Sequence, residues 1–386
     1  MTKNNLYVDI HVLQTVPSSN INRDDTGAPK TAIYGGATRS RVSSQSWKKA
    51  IREGFKKDSK EHDWLNGFRT KRTATLLAKE LMKKDSSLSF DDARKKAKEV
   101  LSNMGLKFDK AKKNDKSNDK DFETKVLLFF SPSQLRKLAE YILNNDEINK
   151  IDELDKKEAT KVLKEAKKEL DRNQSLDLAL FGRMVADDPE LNVEASAQVA
   201  HAISTHEVVP EFDFFTAVDD AKTSEESGSA MLGTLEYNSS TLYRYANVNM
   251  NELIHNLGEE LAQIGLKEFI KNFALTMPTG HQNSYANKTL PQYILVTIRE
   301  DTPVNLISAF ERPIQSNNGY AKKSIEQLEA EFDSTSSWIG EPLASFVHAN
   351  KGFVTTVGER KTNIDELLND VSTVVAKRVE NEDTDD

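Results

Sequence analysis

The feature that most constrains the fold is a two-faced stretch at residues 43–57, which follows the tetrapeptide N-R-D-D at residues 22–25. In helical register, apolar side chains recur at i, i+3, i+4 and i+8, and polar or cationic side chains fall on the opposite side. Two serines stand at its start, where their hydroxyls can cap the helix and leave first-turn N–H groups for an anion. The apolar face holds Trp47, Ala50, Ile51 and Phe55, and the opposite face holds Gln45, Lys48, Lys49, Arg52 and Lys56.

This cationic face suits a phosphodiester backbone better than a base edge, because a backbone is read through charge rather than through sequence. An ordinary solvated lysine face is the commoner meaning of such a pattern. The net charge of -8 is unevenly distributed, since residues 1–57 contain ten Lys or Arg against four Asp or Glu. Affinity for nucleic acid depends on local neutralisation of phosphates. A locally basic surface can therefore bind nucleic acid even on a protein with a net negative charge.

The composition is that of a soluble globular protein, with 37% hydrophobic and 30% charged residues. No run approaches the roughly 18 apolar residues that a membrane span requires, and the N-terminus lacks the apolar core of a signal peptide. We therefore expect a cytoplasmic protein with no membrane partner. The absence of cysteine excludes disulfides, thiolate nucleophiles and cysteine-based zinc sites.

The order of predicted elements indicates an α+β fold. Residues 6–12 alternate apolar and polar as in a half-buried strand, and the helix that follows opens a ferredoxin-like βαββαβ unit, also found in RNA-recognition domains. Residues 58–172 read as a helical insertion that contains a lysine-rich solvated loop at residues 107–120. Helices are predicted at residues 73–83, 91–104, 133–144, 151–170, 259–277 and 364–375, and strand-like segments at residues 176–184, 197–209 and 293–298.

Residues 209–242 combine aromatic side chains with a polar tip at residues 222–229. This pattern predicts a hairpin-like excursion with an apolar base and a solvated tip. The alternative is a flap folded over its own core.

Several motifs resemble the CasC family, the repeated backbone subunit of the type I-E CRISPR surveillance complex Cascade. They keep the family's order and spacing over roughly residues 6–250, and the C-terminal third fits more loosely. After N-R-D-D, they are A-I-Y-G-G at 32–36, R-V-S-S-Q-S at 41–46, G-R-M at 182–184, A-H-A-I-S-T-H at 200–206, F-F-T-A-V-D-D at 214–220, G-S-A-M-L-G-T at 228–234 and Y-R-Y-A-N-V-N at 243–249.

The resemblance implies a ferredoxin-like palm, helical fingers and a thumb that reaches across the guide RNA toward the next subunit. The palm would comprise residues 1–57, 173–208 and 243–376, the fingers residues 58–172, the thumb residues 209–242, and a disordered acidic tail residues 377–386. Family positions that contact the guide backbone match Asn22, Arg23, Lys30, Ser43, Gln45, Lys48, Lys49 and Arg52. Positions that displace or flank a flipped nucleotide match Met184, Phe214, Phe215, Thr216 and Leu232.

Two positions depart from the family pattern. Trp47 stands where an aliphatic residue can occur, and Phe214 stands where Trp can occur. Both keep apolar character. By resemblance, copies of the chain would line up head to tail on the guide crRNA, beside other Cascade subunits, and would present its bases to target DNA.

Catalysis finds less support in the sequence. The pairs Asp24-Asp25 and Asp219-Asp220 could bind metals, and distant relatives in RNA-cleaving CRISPR complexes use a loop Asp, so a metal-dependent endoribonuclease using Asp24 or Asp220 is the alternative. Loop aspartates most often cap turns, however. His201 and His206 lie five residues apart in a strand-like run, which argues against a shared metal. We predict no enzymatic activity, no cofactor and no metal; a generic single-strand RNA chaperone is a third possibility.

Overall fold

A computed structural model describes residues 5–58, 62–109, 120–185, 189–217 and 231–384. The chain divides into two compact units. Unit 1 comprises Met1–Gly54, Gln198–Asn249 and Leu266–Asp386, and unit 2 comprises Phe55–Ala197 and Met250–Gly265. The mixed α+β class predicted from the sequence is confirmed.

The elements are numbered in chain order. The strands are β1 (Tyr7–Ser19), β2 (Thr31–Tyr34), β3 (Ala37–Val42), β4 (Phe68–Thr70), β5 (Leu128–Phe130), β6 (Ala197–Val199), β7 (Ala202–Ser204), β8 (Glu211–Ala217), β9 (Met231–Asn249), β10 (Tyr293–Arg299), β11 (Ala344–Ala349) and β12 (Glu359–Arg360). The helices are α1 (Ser44–Asp58), α2 (Thr73–Lys84), α3 (Phe90–Asn103), α4 (Pro132–Asn144), α5 (Asp146–Asn149), α6 (Lys156–Asp171), α7 (Leu176–Phe181), α8 (Met250–Leu257), α9 (Glu259–Leu275), α10 (Gln282–Tyr285), α11 (Ala321–Thr335) and α12 (Ile364–Thr384).

Unit 1 is built on a sheet with the strand order β12-β11-β10-β1-β9-β7-β3-β2. Its central strand, β1, pairs antiparallel with β10 on one side and β9 on the other. Strand β8 pairs antiparallel with β9 from Glu211↔Tyr237 to Ala217↔Met231, so the two arms of the predicted hairpin are present. The predicted polar tip lies outside the described residues.

The prediction that β1 is half-buried is wrong. Asp9 and His11, the polar positions of the alternation, are 1% and 2% exposed. The Asp9 carboxylate accepts hydrogen bonds from the Tyr245 hydroxyl (2.7 Å) and the Val304 N–H (3.1 Å), and Nδ1 of His11 lies 2.9 Å from the Tyr243 hydroxyl. Side chains on both faces of β1 are buried, so its polar side chains are satisfied by internal partners rather than by water.

Unit 2 has its own apolar core, formed by one face of each of α2, α3, α4 and α6. Helices α3, α4 and α6 begin at side-chain caps. Ser131 forms a capping box with Gln134, and the Asp155 carboxylate accepts from the N–H groups of Lys157 and Glu158. The sequence predicts a helical insertion at residues 58–172, and residues 110–119 of its lysine-rich loop lie outside the described residues.

Three boundaries differ from the sequence prediction. Residues 176–184 were expected to be strand-like, yet Leu176–Phe181 is a helix with its first five residues buried. Residues 173–197 and 250–265, predicted to join the palm, cluster with unit 2 instead. The acidic tail was expected to be disordered, but α12 continues to Thr384, because Glu, Lys and Arg are good helix formers that can extend a helix already anchored by its apolar face.

Candidate nucleic-acid interface

Two side-chain hydrogen bonds fix the N-terminus of helix α1. The Ser43 hydroxyl accepts a hydrogen bond from the Ser46 N–H at 3.4 Å, and the amide oxygen of Asn22 accepts from the Ser43 N–H at 2.8 Å. The N–H groups of Ser44 and Gln45 have no acceptor within the helix, as in any first helical turn. The loop at residues 22–25 thus fixes the position of a helix end that is suited to an anion.

The apolar face of α1 is buried as predicted. Trp47 is 1% exposed and stacks on the guanidinium of Arg244, whose central carbon lies 3.8 Å from the ring centroid. Arg244 donates hydrogen bonds to the Gln14 amide oxygen (2.6 Å) and to the backbone oxygen of Phe273, in the last turn of α9. Burial lowers the pKa of Arg244 to about 9, and the negative end of the α9 dipole partly compensates the buried charge.

A glycine lets α1 approach α9 closely. A Cβ added at Gly54 would lie 2.0 Å from the amide oxygen of Asn272. With the inner face fixed by Trp47 and Gly54, the outer face presents its polar side chains outward. Gln45 and Lys49 are exposed, while Lys48 and Arg52 are half-buried.

The loop that precedes β2 is closed by Asp24. Its carboxylate accepts hydrogen bonds from the Thr26 N–H (2.8 Å), the Thr26 hydroxyl (2.7 Å) and the Ala28 N–H (3.1 Å). The bond from the Thr26 hydroxyl is the main cause that lowers the pKa of Asp24. Asp24 is therefore a turn-forming residue, and the loop that it closes presents Arg23 exposed and Lys30 half-buried.

The aromatic side chains of the hairpin fall on opposite faces. Phe214 is 66% exposed and shares its face with Thr216, which is also exposed. Phe215 points the other way and lies over Gly233, where an added Cβ would be 2.3 Å from the ring. Leu232 pairs with Thr216, and its side chain lies outside the described residues.

Met184, the remaining predicted wedge, belongs to unit 2 and is 83% exposed. The motif G-R-M explains its presentation. Gly182 has φ of 74°, and the buried Arg183 donates to the backbone oxygens of Leu191 (2.6 Å) and Phe129 (3.0 Å). Gly182 allows the chain to turn, and the hydrogen bonds of Arg183 fix the backbone after the turn. Met184 therefore projects from the surface of its own unit.

Two further residues lie near predicted site residues and were not assigned from the sequence, one near Phe214 and one near Lys30. Phe212, 66% exposed, lies on the same face of β8 as Phe214; its spacing of two from Phe214 was the available signal. Arg41 in β3 has a terminal nitrogen 3.2 Å from Nδ1 of His201. Burial, and then the neighbouring charges of Arg41 and Lys30, lower the pKa of His201.

His206 is a structural residue, as interpreted from the sequence. Its ring stacks on Tyr320 with centroids 3.7 Å apart, and its Nε2 accepts from the Thr241 N–H at 3.1 Å. Across the described ranges, no three His, Asp or Glu side chains form a group able to hold a metal ion. Asp219 and Asp220 lie outside those ranges. In the same part of the chain, no helix is long and apolar enough to cross a membrane.

Comparisons with known proteins agree with this arrangement. The sequence profile of the CT1975-like protein family matches residues 8–372. The chain belongs to this family. Together with the structural similarities below, the match confirms the resemblance to the CasC family.

Two solved structures are similar over nearly the whole chain. A chain of a structure described as a "CRISPR RNA-guided surveillance complex, pre-nicking" is 32% identical, with a TM-score of 0.80, and the match covers 95% of this chain and 99% of that one. A chain of a "CRISPR RNA-guided surveillance complex" is 27% identical, with a TM-score of 0.70 and the same coverage. No curated protein sequence matches.

Proposed function

We propose that this CT1975-like protein is the guide-RNA-binding backbone subunit of a type I-E CRISPR surveillance complex. The observation that carries the proposal is the construction of α1. Its N-terminal amides and cationic face are held outward by a buried Trp47–Arg244 stack, beside the loop that presents Arg23 and Lys30. Cationic surfaces fixed in this way hold a single-stranded backbone without reading its sequence.

In this proposal the palm is of the ferredoxin-like type, with β1, α1 and the antiparallel neighbours of β1 as its elements. Copies of the chain line up head to tail along the crRNA and form a heterologous interface whose extent the RNA sets. Other subunits complete the complex in the cytoplasm. Specificity for target DNA comes from guide–target base pairing. The exposed Phe214 of unit 1 and the exposed Met184 of unit 2 each serve as an apolar wedge against a base.

The proposed role is binding without catalysis. The Asp24 carboxylate already accepts three hydrogen bonds within its own loop, which supports a turn-forming role over metal binding. Labelled RNA incubated with the protein and Mg²⁺ or Mn²⁺ should remain intact. Cleavage that is lost in Asp24→Asn would favour the endoribonuclease alternative.

The direct test of the proposal replaces two exposed cations, Arg23→Ala and Lys49→Ala, together. Affinity is titrated on several unrelated single-stranded RNAs at three or more salt concentrations. We expect affinity to fall by a similar factor for each sequence, and the slope of log K against log[salt] to shrink by about 0.7 per lost phosphate contact. A matched control, Lys322→Ala in α11, should leave both unchanged. Losses that depend strongly on RNA sequence would contradict a backbone-binding role.

A further inference from the structure

A small polar cavity opens beside the proposed backbone-binding loop, where β1 is irregular. The register of β1 with β9 runs through Val16↔Ser240 and resumes at Ser19↔Asn238, so β1 contains one extra residue there. Pro17 lies within this bulge and has no N–H to donate to the ladder. The cavity lies next to this bulge and is lined by residues of β1, β3 and β9 and of the loop before β2.

The floor of the cavity is polar and buried. Each of its four small polar residues is at least nine-tenths buried. The Ser40 hydroxyl donates to the Asn238 amide oxygen at 3.1 Å, which leaves the Asn238 Nδ2 group as a hydrogen-bond donor. Hydroxyl and amide groups therefore form one part of the lining, and Ile21, Pro29 and Val42 form an apolar part. An apolar group could cover the polar part only at the cost of its hydrogen bonds. The four residues are Ser19, Ser40, Asn238 and Ser240.

Two cations line the same cavity. Lys30 and Arg41 are joined through the backbone, since the Arg41 N–H donates to the Lys30 backbone oxygen at 2.9 Å. Asn22, which positions the start of α1, lines it as well. The cavity is thus continuous with the loop proposed to hold the RNA backbone. The Arg41 guanidinium lies beside it, where it donates to the Thr31 backbone oxygen at 3.2 Å and lies 3.2 Å from Nδ1 of His201. The two cations favour a phosphate next to the cavity.

The size of the cavity decides what can enter. It offers about the room that one water molecule needs, so a nucleobase is too large, whereas a single hydroxyl group fits. In a strand whose phosphate lies at Lys30 and Arg41, the nearest small polar group is the ribose 2′-hydroxyl, which both donates and accepts hydrogen bonds. That hydroxyl is also the group that distinguishes RNA from DNA.

We propose that this cavity binds a ribose 2′-hydroxyl of the bound strand and thereby makes the subunit prefer RNA over DNA, with Arg41 and Lys30 holding the adjacent phosphate. This inference rests on the proposed RNA-binding function and extends it to residues that sequence reasoning did not assign, namely Arg41, Ser40, Asn238 and Ser240.

The first test uses the unmodified protein and short single strands of about eight nucleotides. The strands share one sequence and carry ribose, 2′-deoxyribose or 2′-O-methylribose. One net hydrogen bond corresponds to about a fivefold change in affinity, so ribose should bind about fivefold more tightly than deoxyribose. The 2′-O-methyl strand should bind no better than the deoxyribose strand, because the added methyl group does not fit.

The second test fills the cavity. Ser240→Val should bring RNA affinity down to the level of the deoxyribose strand while leaving deoxyribose binding unchanged. Ser239→Val, at the exposed neighbouring position on the other face of β9, should keep the preference. Arg41→Gln should weaken ribose and deoxyribose strands alike, because a phosphate contact is common to both.

The outcomes separate the two proposals. Equal binding of ribose and deoxyribose strands by the unmodified protein, or a folded Ser240→Val variant that keeps the preference, would overturn the 2′-hydroxyl site while RNA binding stands. If no strand binds at any salt concentration, the proposed function itself fails. Should Ser240→Val not fold, the modified strands still decide the question on the unmodified protein.

Discussion

Helix α1 and the β8–β9 hairpin are both assigned to the RNA, yet they are built in opposite ways. The side chains that position α1 are hidden: Trp47 is 1% exposed and is stacked on a buried Arg244. The side chains that matter on the hairpin are uncovered, with Phe212 and Phe214 each 66% exposed. One surface is fixed by the core of the protein, and the other leaves its apolar groups in water.

This difference separates two ways of contributing to binding. The conformational cost of positioning the backbone of α1 is met during folding, so each phosphate contact proposed for its cations would be made from a preorganised helix. The aromatic face of the hairpin gains from the hydrophobic effect only when bases or another subunit cover it. Substitutions under α1 should therefore alter stability, whereas substitutions on the exposed face of the hairpin should alter binding.

The largest expected effect comes from removing the anchor of α1. Trp47→Ala deletes a fully buried ring and removes the stacking partner of Arg244, so it should lower the free energy of unfolding by about 3–5 kcal/mol. Urea denaturation followed by circular dichroism measures this change. Lys49→Ala, on the exposed side of the same helix, should stay within about 0.5 kcal/mol of the unmodified protein. Equal midpoints for Trp47→Ala and Lys49→Ala would show that the stack does not hold the helix.

The second-largest expected effect is a pH dependence of stability that comes from Asp9 in β1. It involves the sheet on which α1 packs and does not involve the hairpin. Burial raises the pKa of Asp9 to about 7, although its hydrogen bond from Tyr245 opposes the shift. The folded state therefore keeps this proton at pH values where the unfolded chain has lost it. The contribution of Asp9 to stability is complete below about pH 4 and is lost as the pH rises to about 7, by up to roughly 4 kcal/mol.

Asp9→Asn removes this titration. Urea denaturation of both proteins between pH 4 and pH 8 gives the difference in their free energies of unfolding, which cancels the contribution of other groups. We expect the unmodified protein to lose stability relative to Asp9→Asn as the pH rises. A difference that stays constant across the range would mean that Asp9 titrates normally.

The smallest effect on stability should come from the exposed face of the hairpin. Phe214→Ala should leave the unfolding midpoint nearly unchanged, yet weaken binding of target DNA by the assembled complex by about 1–3 kcal/mol, the usual value of one stacked base. Phe215→Ala is the contrasting variant, because Phe215 covers Gly233 within the hairpin itself. The comparison between α1 and the hairpin breaks down if Phe214→Ala destabilises the isolated protein as much as Trp47→Ala does.

Much of α1 could be predicted because its signals are local. The apolar spacing from Trp47 to Phe55 and the serines at its start lie within a few turns of one another, and the structure places the helix at Ser44–Asp58. Its partners are remote: Arg244 lies nearly two hundred residues from Trp47 along the chain. A tryptophan on an apolar face does not indicate a buried arginine above it, because the contact depends on tertiary structure.

Other parts of the chain could not be predicted for a different reason. Residues 176–180 are all buried, including Asp177, whose polar position mimics the alternation of a strand, so their burial has no period that distinguishes a helix from a strand. In β1, the alternation of apolar and polar residues predicts that Asp9 and His11 face solvent, because such a pattern is typical of a sheet with one solvent-exposed face. Pro17 is a local signal that the strand is interrupted, but the register shift beside the cavity depends on the pairing of β1 with β9, more than two hundred residues away.

The pairing of β1 also determines how long this strand remains without its partner strands while the chain is synthesised. Leu13 pairs with both Tyr243 and Tyr293, so the central strand of the sheet meets its second partner about 280 residues after its own synthesis. At a ribosomal rate of about 5–20 residues per second, this strand waits roughly 15–60 s for that partner. The helical unit, whose core comes from residues 74–191, completes its sequence during the delay. Newly made β1 is therefore the segment that most needs shielding from aggregation while the chain emerges.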